Sequence, residues 1–439
     1  MPLWWRFAIG AGIVVLTCLA WLARDLIGLR GQALIGIVCF IGLAMACSTN
    51  LRQVDPRTIL VGMGLQLLLA VLILRVELVR SFFDFIGRVI TKFLDFSSEG
   101  AKFVFGPLAD PEKMGPVFGG PSAVNFAFRI LPTVIFVSCV FTILYHLRIL
   151  QLIVLAYAKI MIVLMGKRGV SGAETLSATA NVFMGQTEAP LIVKPYIAGM
   201  TRSELLALMI GGMATVAGGV MAAFIGLGAP AYALLATSVM AAPAGLYIAK
   251  LLMPETGEPE TRGRLKTADE RPHANVIDAA ASGASDGMKL AINIAAMLIA
   301  FIALIAMCNY GLRLIHPDWS LQRFFAILFS PLAMLMGVPE GDINKVAQLL
   351  GEKLVLNEFY AFITLSNPEF RSGMSERAIV LATFALTSFA NFASIGIQLG
   401  GIGAMAENRR ADLARLGFRA LLGGFLATLI NASIAGILL

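Results

Sequence analysis

The 439-residue chain is poor in charge: Asp, Glu, Lys and Arg together make up 14% of it, against 58% hydrophobic residues. A soluble domain ordinarily carries about 25% charged residues, so this chain has too little polar surface to sit in water. Histidine is scarce. His146, His273 and His316 lie far apart, at the ends of apolar segments, whereas an imidazole-built metal centre needs them clustered. The five cysteines, Cys18, Cys39, Cys47, Cys139 and Cys308, sit inside apolar runs with no C-x-x-C spacing, which supports neither a disulfide framework nor a zinc site. No nucleotide-binding loop and no nucleophile–base pair is present, so an intramembrane enzyme is left without its chemistry. The net charge of +7 does not mark a nucleic-acid surface. Its basic residues fall at segment ends and in loops, as cytoplasmic anchors do.

What the chain has in abundance is apolar length, with a mean hydropathy of +0.83. Nine segments are long enough to cross a bilayer: Phe7–Leu26, Gln32–Ser48, Thr58–Val76, Ile130–Leu147, Ser203–Leu227, Ala231–Met253, Lys289–Leu312, Ala378–Leu399 and Phe418–Leu439. The first has Arg6 before it and small residues near Ala20 and Ala23, as a signal peptide would. Its apolar core is longer than a signal core and further spans follow at once, which reads as an uncleaved first span. Arg80–Gly106 places Phe82, Phe83, Phe85, Ile86, Val89, Ile90, Phe93 and Leu94 at helical spacing among charged residues, the pattern of an amphipathic helix lying along an interface. Arg148–Leu164 and Leu321–Met336 look similar, the alternative for either being a short span. Pro254–Asn275 is the most polar stretch and reads as a solvated loop.

Basic residues set the expected orientation. Arg52 and Arg57, then Lys159, Lys167 and Arg168, then Arg262, Arg264, Lys266 and Arg271, and last Arg409, Arg410, Arg415 and Arg419 fall on one side if nine spans alternate. That side is expected to be cytoplasmic, with the amino terminus inside. Arg80, Arg88, Lys92 and Lys102 on the other side weaken the contrast.

Two glutamates stand out against this background. Glu188 lies in Gly185-Gln-Thr-Glu-Ala-Pro190, and Glu358 in Gly351-Glu-Lys-Leu-Val-Leu-Asn-Glu-Phe359. A carboxylate at membrane depth is costly and is usually kept for a ligand, an ion or a proton. Each glutamate is followed some thirty residues later by a run of small or polar residues, Gly211–Val220 and Thr387–Ser394. By the span count the two hairpin-like segments enter from opposite sides, the inverted repeat that points to alternating access about a midplane site. A passive channel has no need of such a repeat.

The residues themselves suggest what is bound. Asn181, Gln186, Thr187 and Glu188 combine amide, hydroxyl and carboxylate, and Pro190 stops the helix by removing a donor. A broken helix at membrane depth leaves backbone groups for a ligand, an ion or water; the plainer alternative is a polar surface loop. Thr215, among small residues that also suit helix packing, makes an oxygen-rich cage with Asn181 and freed carbonyls, fitted to a hard monovalent cation such as Na⁺. Lys353, five residues before Glu358, is placed either to neutralise it or to act elsewhere. Asn391 and Ser394 share a helix face at a spacing of three. Phe389 and Phe392 beside them suit a flat ring with polar edges, such as a nucleobase, or simple packing.

Taken together, Gly185-Gln-Thr-Glu-Ala-Pro190, Gly351-x-Lys-x-x-x-Asn-Glu-Phe-x-Ala361, Phe126-Ala-Phe128 with Leu131-Pro132, and Phe389-Ala-Asn-Phe-Ala-Ser394 resemble the concentrative nucleoside transporter family. The resemblance runs from about Gln32 to the carboxyl terminus and leaves the first span outside. It implies an all-α polytopic membrane protein of about nine transmembrane helices plus two re-entrant helical hairpins in an inverted repeat, with interfacial amphipathic helices. It also implies a homotrimer in the bacterial inner membrane. In this reading residues 1–30 are an extra span, 31–147 scaffold spans with an interfacial helix, and 148–253 the first transport half. Residues 254–285 are a cytoplasmic loop, 286–318 a scaffold span and 319–439 the second transport half. The family likeness assigns Gln186, Thr187 and Glu188 to the nucleobase, with Val220 and Phe389 lining its pocket. It gives the ribose hydroxyls to Glu358, Asn391 and Ser394. A coupling sodium falls to the Asn181 and Thr215 side chains with the carbonyls of Met184 and Val216. The implied activity is sodium-driven import of nucleosides such as uridine, with no cofactor; the alternative is proton coupling through Glu188 or Glu358.

Overall fold

The computed structural model describes residues 3–110, 113–114, 126–165, 169–262 and 273–439. Among these residues it contains nineteen α-helices and no sheet. In chain order they are α1 (Leu3–Leu22), α2 (Arg24–Ala46), α3 (Pro56–Arg75), α4 (Glu77–Phe105), α5 (Leu131–His146), α6 (Ile149–Met165), α7 (Gly172–Ala180), α8 (Lys194–Ile197), α9 (Arg202–Ala214) and α10 (Gly218–Gly226). There follow α11 (Ala231–Leu252), α12 (Val276–Ile315), α13 (Leu321–Leu335), α14 (Ile343–Val355), α15 (Glu358–Ser366), α16 (Pro368–Arg371), α17 (Glu376–Leu386), α18 (Phe392–Met405) and α19 (Arg410–Leu438). Of the basic residues used to orient the chain, Lys167, Arg168, Arg264, Lys266 and Arg271 lie outside the described residues, as does the middle of the polar loop.

Among the described residues eight helical stretches are long and apolar enough to cross a membrane, and the chain is a polytopic all-α membrane protein. The expected span at Ala378–Leu399 is the pair α17–α18, interrupted at Thr387–Asn391. Ser203–Leu227 is interrupted too, between α9 and α10, where Thr215 is extended at φ −124°, ψ 173°. Composition hides both breaks, because Thr-Val-Ala and Phe-Ala keep hydropathy high across them. The loop expected to run to residue 285 ends at 275: Asn275 accepts from Asp278 N at 2.9 Å and caps α12. That helix has 40 residues, about 60 Å at 1.5 Å per residue, roughly twice a bilayer's hydrocarbon core. Its first turns are small residues, too short in side chain to score as apolar. Gly283 and Gly287 among them lie directly against α5.

Burial divides the molecule. Helices α9, α11, α17 and α19 are almost wholly buried, while α1, α4 and α12 keep long exposed apolar faces. Exposed apolar side chains on a membrane protein face lipid, which is as apolar as they are. On α6 the buried positions Leu150, Val154, Ala158, Met161, Ile162 and Met165 recur at helical spacing. One set of core polar groups is paired side chain to side chain, as a water-free interior favours. Tyr247 donates to Gln66 Oε1 at 2.8 Å, Gln66 Nε2 donates to Asn431 Oδ1 at 2.6 Å, and Asn431 Nδ2 donates to the Thr237 carbonyl at 3.3 Å. That chain ties α3, α11 and α19 together.

A second polar knot fixes where the first hairpin begins. Ser171 caps α7 with a reciprocal bond to Glu174, and Thr201 caps α9 in the same way with Glu204. The buried Lys250 ammonium bonds Glu174 and, at 3.0 Å, Ser203 Oγ. The two remaining first-turn amides of α7 go to one residue beyond α11: Gly172 N to the Thr261 carbonyl at 2.9 Å, Ala173 N to Thr261 Oγ1 at 3.0 Å. All three leading amides of this buried helix end are thereby satisfied.

Candidate functional site

Both glutamate segments are helix–break–helix units. The first runs through α7, a turn at 181–188, a 3₁₀ stretch at Ala189–Val193 and α8. Pro190 sits in the first turn of that 3₁₀ stretch, where its missing N–H is not needed. The second is α14, a break at 356–357 and α15. Each unit packs against an interrupted helix, α9–α10 and α17–α18, and the two interruptions meet. Phe389 N donates to the Thr215 carbonyl at 3.0 Å, a backbone bond from one break to the other.

In the first half the turn closes on the break. Gly218 N donates to the Phe183 carbonyl at 3.0 Å. Asn181 and Thr215 are both buried. Asn181 Nδ2 donates to the Ser177 carbonyl at 2.9 Å and Thr215 Oγ1 to the Gly211 carbonyl at 3.0 Å. Among the described residues Asn181 Oδ1 is buried with no hydrogen-bond partner. An unpaired buried amide oxygen costs about 1–3 kcal/mol; a Cβ on Gly211, whose carbonyl accepts from Thr215, would come 3.3 Å from Asn181 Nδ2. Oxygen donors of that kind fit Na⁺. Met184, half-buried, and Val216, buried, belong to the same two segments. The four residues expected to hold the ion thus lie on the first turn and the first break, which meet at Phe183 and Gly218.

The second half is a carboxylate held by an amide. Asn391 Nδ2 donates to Glu358 Oε2 at 2.7 Å, while Asn391 Oδ1 accepts from Ser394 N at 2.9 Å. Glu358 opens α15 and Asn391 caps α18, so two helix N-termini turn their positive ends toward one buried carboxylate. Asn391 and Ser394 are adjacent as expected but not as two positions of one helix: the chain is extended at Asn391 (φ −142°, ψ 164°). Lys353 is not Glu358's hydrogen-bonded partner. Its ammonium donates to the Ala385 carbonyl at 2.6 Å and Thr428 Oγ1 at 3.2 Å, over the Phe425 ring. The break at 356–357 lies between them, and the hydrogen bonds of the ammonium go to α17 and α19 rather than to the carboxylate.

The halves also meet through side chains. Gln186 Nε2 donates to Ser394 Oγ at 3.1 Å. Thr187 rests on Gly401 of α18, where a Cβ would come within 2.5 Å of Thr187 Cγ2. Val220 is buried in the first turn of α10 and Phe389 is half-buried in the second break. Phe224 of α10 stacks on Phe362 of α15 at 4.0 Å and meets Phe359 edge-on at 4.9 Å. Sequence reading missed Phe224 and Phe362, since rings in apolar helices carry no mark of their partner.

Glu188 has a different setting. It is exposed, and its Oε2 accepts from Gly185 N at 3.1 Å. It lines a cavity of about 340 Å³ between α5 and α12 on one side and the first hairpin and α10 on the other. Tyr145, His273 and Asp286 line it as well; none of the three stood out in the sequence. Phe141 of α5 packs on the start of α10, where a Cβ at Gly218 would fall 2.4 Å from the ring. Gln186, Glu358, Asn391 and Ser394 are not among the lining residues.

Comparison with known proteins agrees with this geometry. Three family models match: the amino-terminal part of a Na⁺-dependent nucleoside transporter over residues 35–108, "nucleoside recognition" over 127–231, and the carboxyl-terminal part of a Na⁺-dependent nucleoside transporter over 233–436. An uncharacterized transporter of Haemophilus influenzae is 41% identical, over 92% of this chain and 97% of its own. The human sodium/nucleoside cotransporter 1 is 40% identical over 92% of this chain, which spans 63% of that longer protein. CNTnw, solved in an inward-facing substrate-bound state, superposes with a TM-score of 0.88 at 40% identity, over 93% of this chain and 97% of that one. Such proteins carry solutes rather than transform them. The chain is a member of the concentrative, Na⁺-dependent nucleoside transporter family.

Proposed function

We propose that the protein imports nucleosides across a bacterial inner membrane by symport with sodium, its amino terminus in the cytoplasm. In this reading Gln186, Thr187 and Glu188 face the nucleobase and Val220 and Phe389 line its pocket. Glu358, Asn391 and Ser394 hold the ribose hydroxyls. Asn181 and Thr215 bind sodium with the carbonyls of Met184 and Val216. The observation that supports the reading is the meeting of the two breaks at Phe389 N and the Thr215 carbonyl, which joins the segment proposed to hold sodium to the segment whose Asn391 holds Glu358. Vicinal ribose hydroxyls suit a carboxylate already preset by Asn391. A site built for them rejects solutes that lack them, because its buried acceptors then stay unpaired.

Residues 148–253 and 319–439 form the mobile transport halves, and 31–147 with 286–318 the scaffold of a homotrimer. The cavity supports this division, because it separates α5 and α12 from the first hairpin. In this reading the end of the cavity lined by Tyr145 and His273 is the cytoplasmic one.

The test is uptake of radiolabelled uridine into proteoliposomes with inward sodium and proton gradients imposed separately. Accumulation driven by sodium alone is expected. Accumulation driven only by protons keeps the nucleoside site and overturns the ion assignment. Equilibration without accumulation would mean a passive path.

A further inference from the structure

Gln398 belongs to none of the motifs above. It is fully buried on α18, four residues after Ser394 and so one turn along the same face. Its Nε2 donates to the Met209 carbonyl of α9 at 2.9 Å. One turn earlier, Ser394 Oγ accepts from Gln186 Nε2 at 3.1 Å. These are two rungs between α18 and the first half.

Gly212 is the floor under both. A Cβ there would lie 2.8 Å from Gln186 Cβ and 2.9 Å from Gln398 Nε2, so the bare backbone is what lets the two side chains come in. Each amide has one atom left over. Gln186 Oε1 and Gln398 Oε1 are buried without a hydrogen-bond partner among the described residues. Buried polar atoms are nearly always satisfied, so an unpaired acceptor on Gln186 is available to a donor arriving with a ligand.

We propose that Gln398 is a positioning residue for nucleobase selection. By tying α18 to Met209 and filling the space beside Gln186 over Gly212, it holds the Gln186 carboxamide with its nitrogen toward Ser394 and its oxygen free. A base edge that offers an N–H, such as the imide of a uracil or an exocyclic amine, is matched by that oxygen; an edge that offers only acceptors is not. The inference rests on the nucleoside reading and adds to it the residue that sets the direction of its amide.

The experiment is a KM panel (uridine, cytidine, adenosine, inosine) for Gln398→Leu against the unmodified protein, normalised to protein in the membrane. KM for the preferred nucleoside is expected to rise roughly tenfold, and the spread between best and worst nucleoside to narrow by a similar factor. The sodium concentration for half-maximal uptake is expected to stay within about twofold, since Gln398 bonds the Met209 carbonyl while Asn181 and Thr215 bond those of Ser177 and Gly211. A uniform fall in maximal rate with KM ratios unchanged overturns the proposal and leaves Gln398 as packing. If the Leu variant does not reach the membrane, Gln398→Glu keeps the length. Its protonated carboxyl donates to Met209 as the amide does, and its ionised form cannot. Nucleoside affinity of the purified Glu variant at saturating sodium, relative to unmodified protein, is then expected to recover as pH falls; a pH-independent ratio overturns the proposal. Absence of nucleoside binding by the unmodified protein would strike the nucleoside reading itself.

Discussion

The two glutamate hairpins echo each other in sequence and differ in physical setting. Glu188 is exposed to a cavity, and its carboxylate accepts from Gly185 N, three residues back along its own turn. Glu358 is buried, opens a helix, and is held by an amide from a different element. The first is loosely held and faces the cavity. The second is a preset acceptor whose neighbours are already ordered. The two units are also anchored differently. The first is tied through Thr261 and the Lys250–Glu174 pair to the start of the polar loop. The second is tied by Asp342, whose Oδ2 accepts from Ser375 Oγ at 2.7 Å and Ser375 N at 3.2 Å, joining it to the start of α17. Repetition of a motif has thus placed two carboxylates without giving them the same job.

If that contrast is sound, Glu358→Gln has the largest effect. It turns a buried acceptor for two hydroxyls into a half-donor, and uptake at low uridine is expected to fall roughly 100-fold. Near-normal uptake by protein present at normal abundance would remove the ribose role. Glu188→Gln is expected to lose less, roughly tenfold, because an exposed carboxylate exchanges its ligand bond against water; a loss exceeding that of Glu358→Gln breaks the comparison. Asn181→Ala removes the unpaired amide oxygen, and the sodium needed for half-maximal uptake is expected to rise roughly tenfold with little change in KM at saturating sodium. An unchanged sodium dependence takes Asn181 out of the ion site. The smallest effect belongs to Thr261→Ala, which deletes one acceptor at the start of α7. It is expected to lower stability by about 1 kcal/mol, seen as a small drop in melting temperature of the detergent-solubilised protein. Uptake is expected to be nearly unchanged, and an unaltered melt would show the strap to be idle.

Much of this was legible in the chain. Periodic apolar runs located most long helices, and α4 was expected to be amphipathic from its phenylalanines. The polar candidate residues were nameable because amides and carboxylates are conspicuous in an apolar chain, whereas Val220, Met184 and Val216 came only from the family resemblance. Three things were not legible, each for a physical reason. The break at 215–217 lies in largely apolar sequence, which hydropathy cannot register, and the one at 387–391 is flanked closely enough by apolar residues to be averaged into a span. The role of Asn391 as a cap depends on that break, so a helical reading set it one turn wrong. Lys353 next to Glu358 suggests an ion pair by proximity in sequence, yet the interruption at Leu356–Asn357 sends its ammonium to Ala385 and Thr428.

The bond from Phe389 N to the Thr215 carbonyl has a thermodynamic consequence. Thr215 stands with the proposed ion ligands, and Phe389 is two residues from the amide that holds Glu358. Fixing either break stiffens the other through one short backbone link, so the two ligands share a single conformational bias. Linkage then requires symmetry: whatever factor sodium adds to nucleoside affinity, nucleoside adds to sodium affinity. A tenfold factor corresponds to about 1.4 kcal/mol. Titrating each ligand with the other absent and then saturating gives the factor from both directions. A value near one would mean that the link carries no bias, and that the two halves of this molecule meet without informing each other.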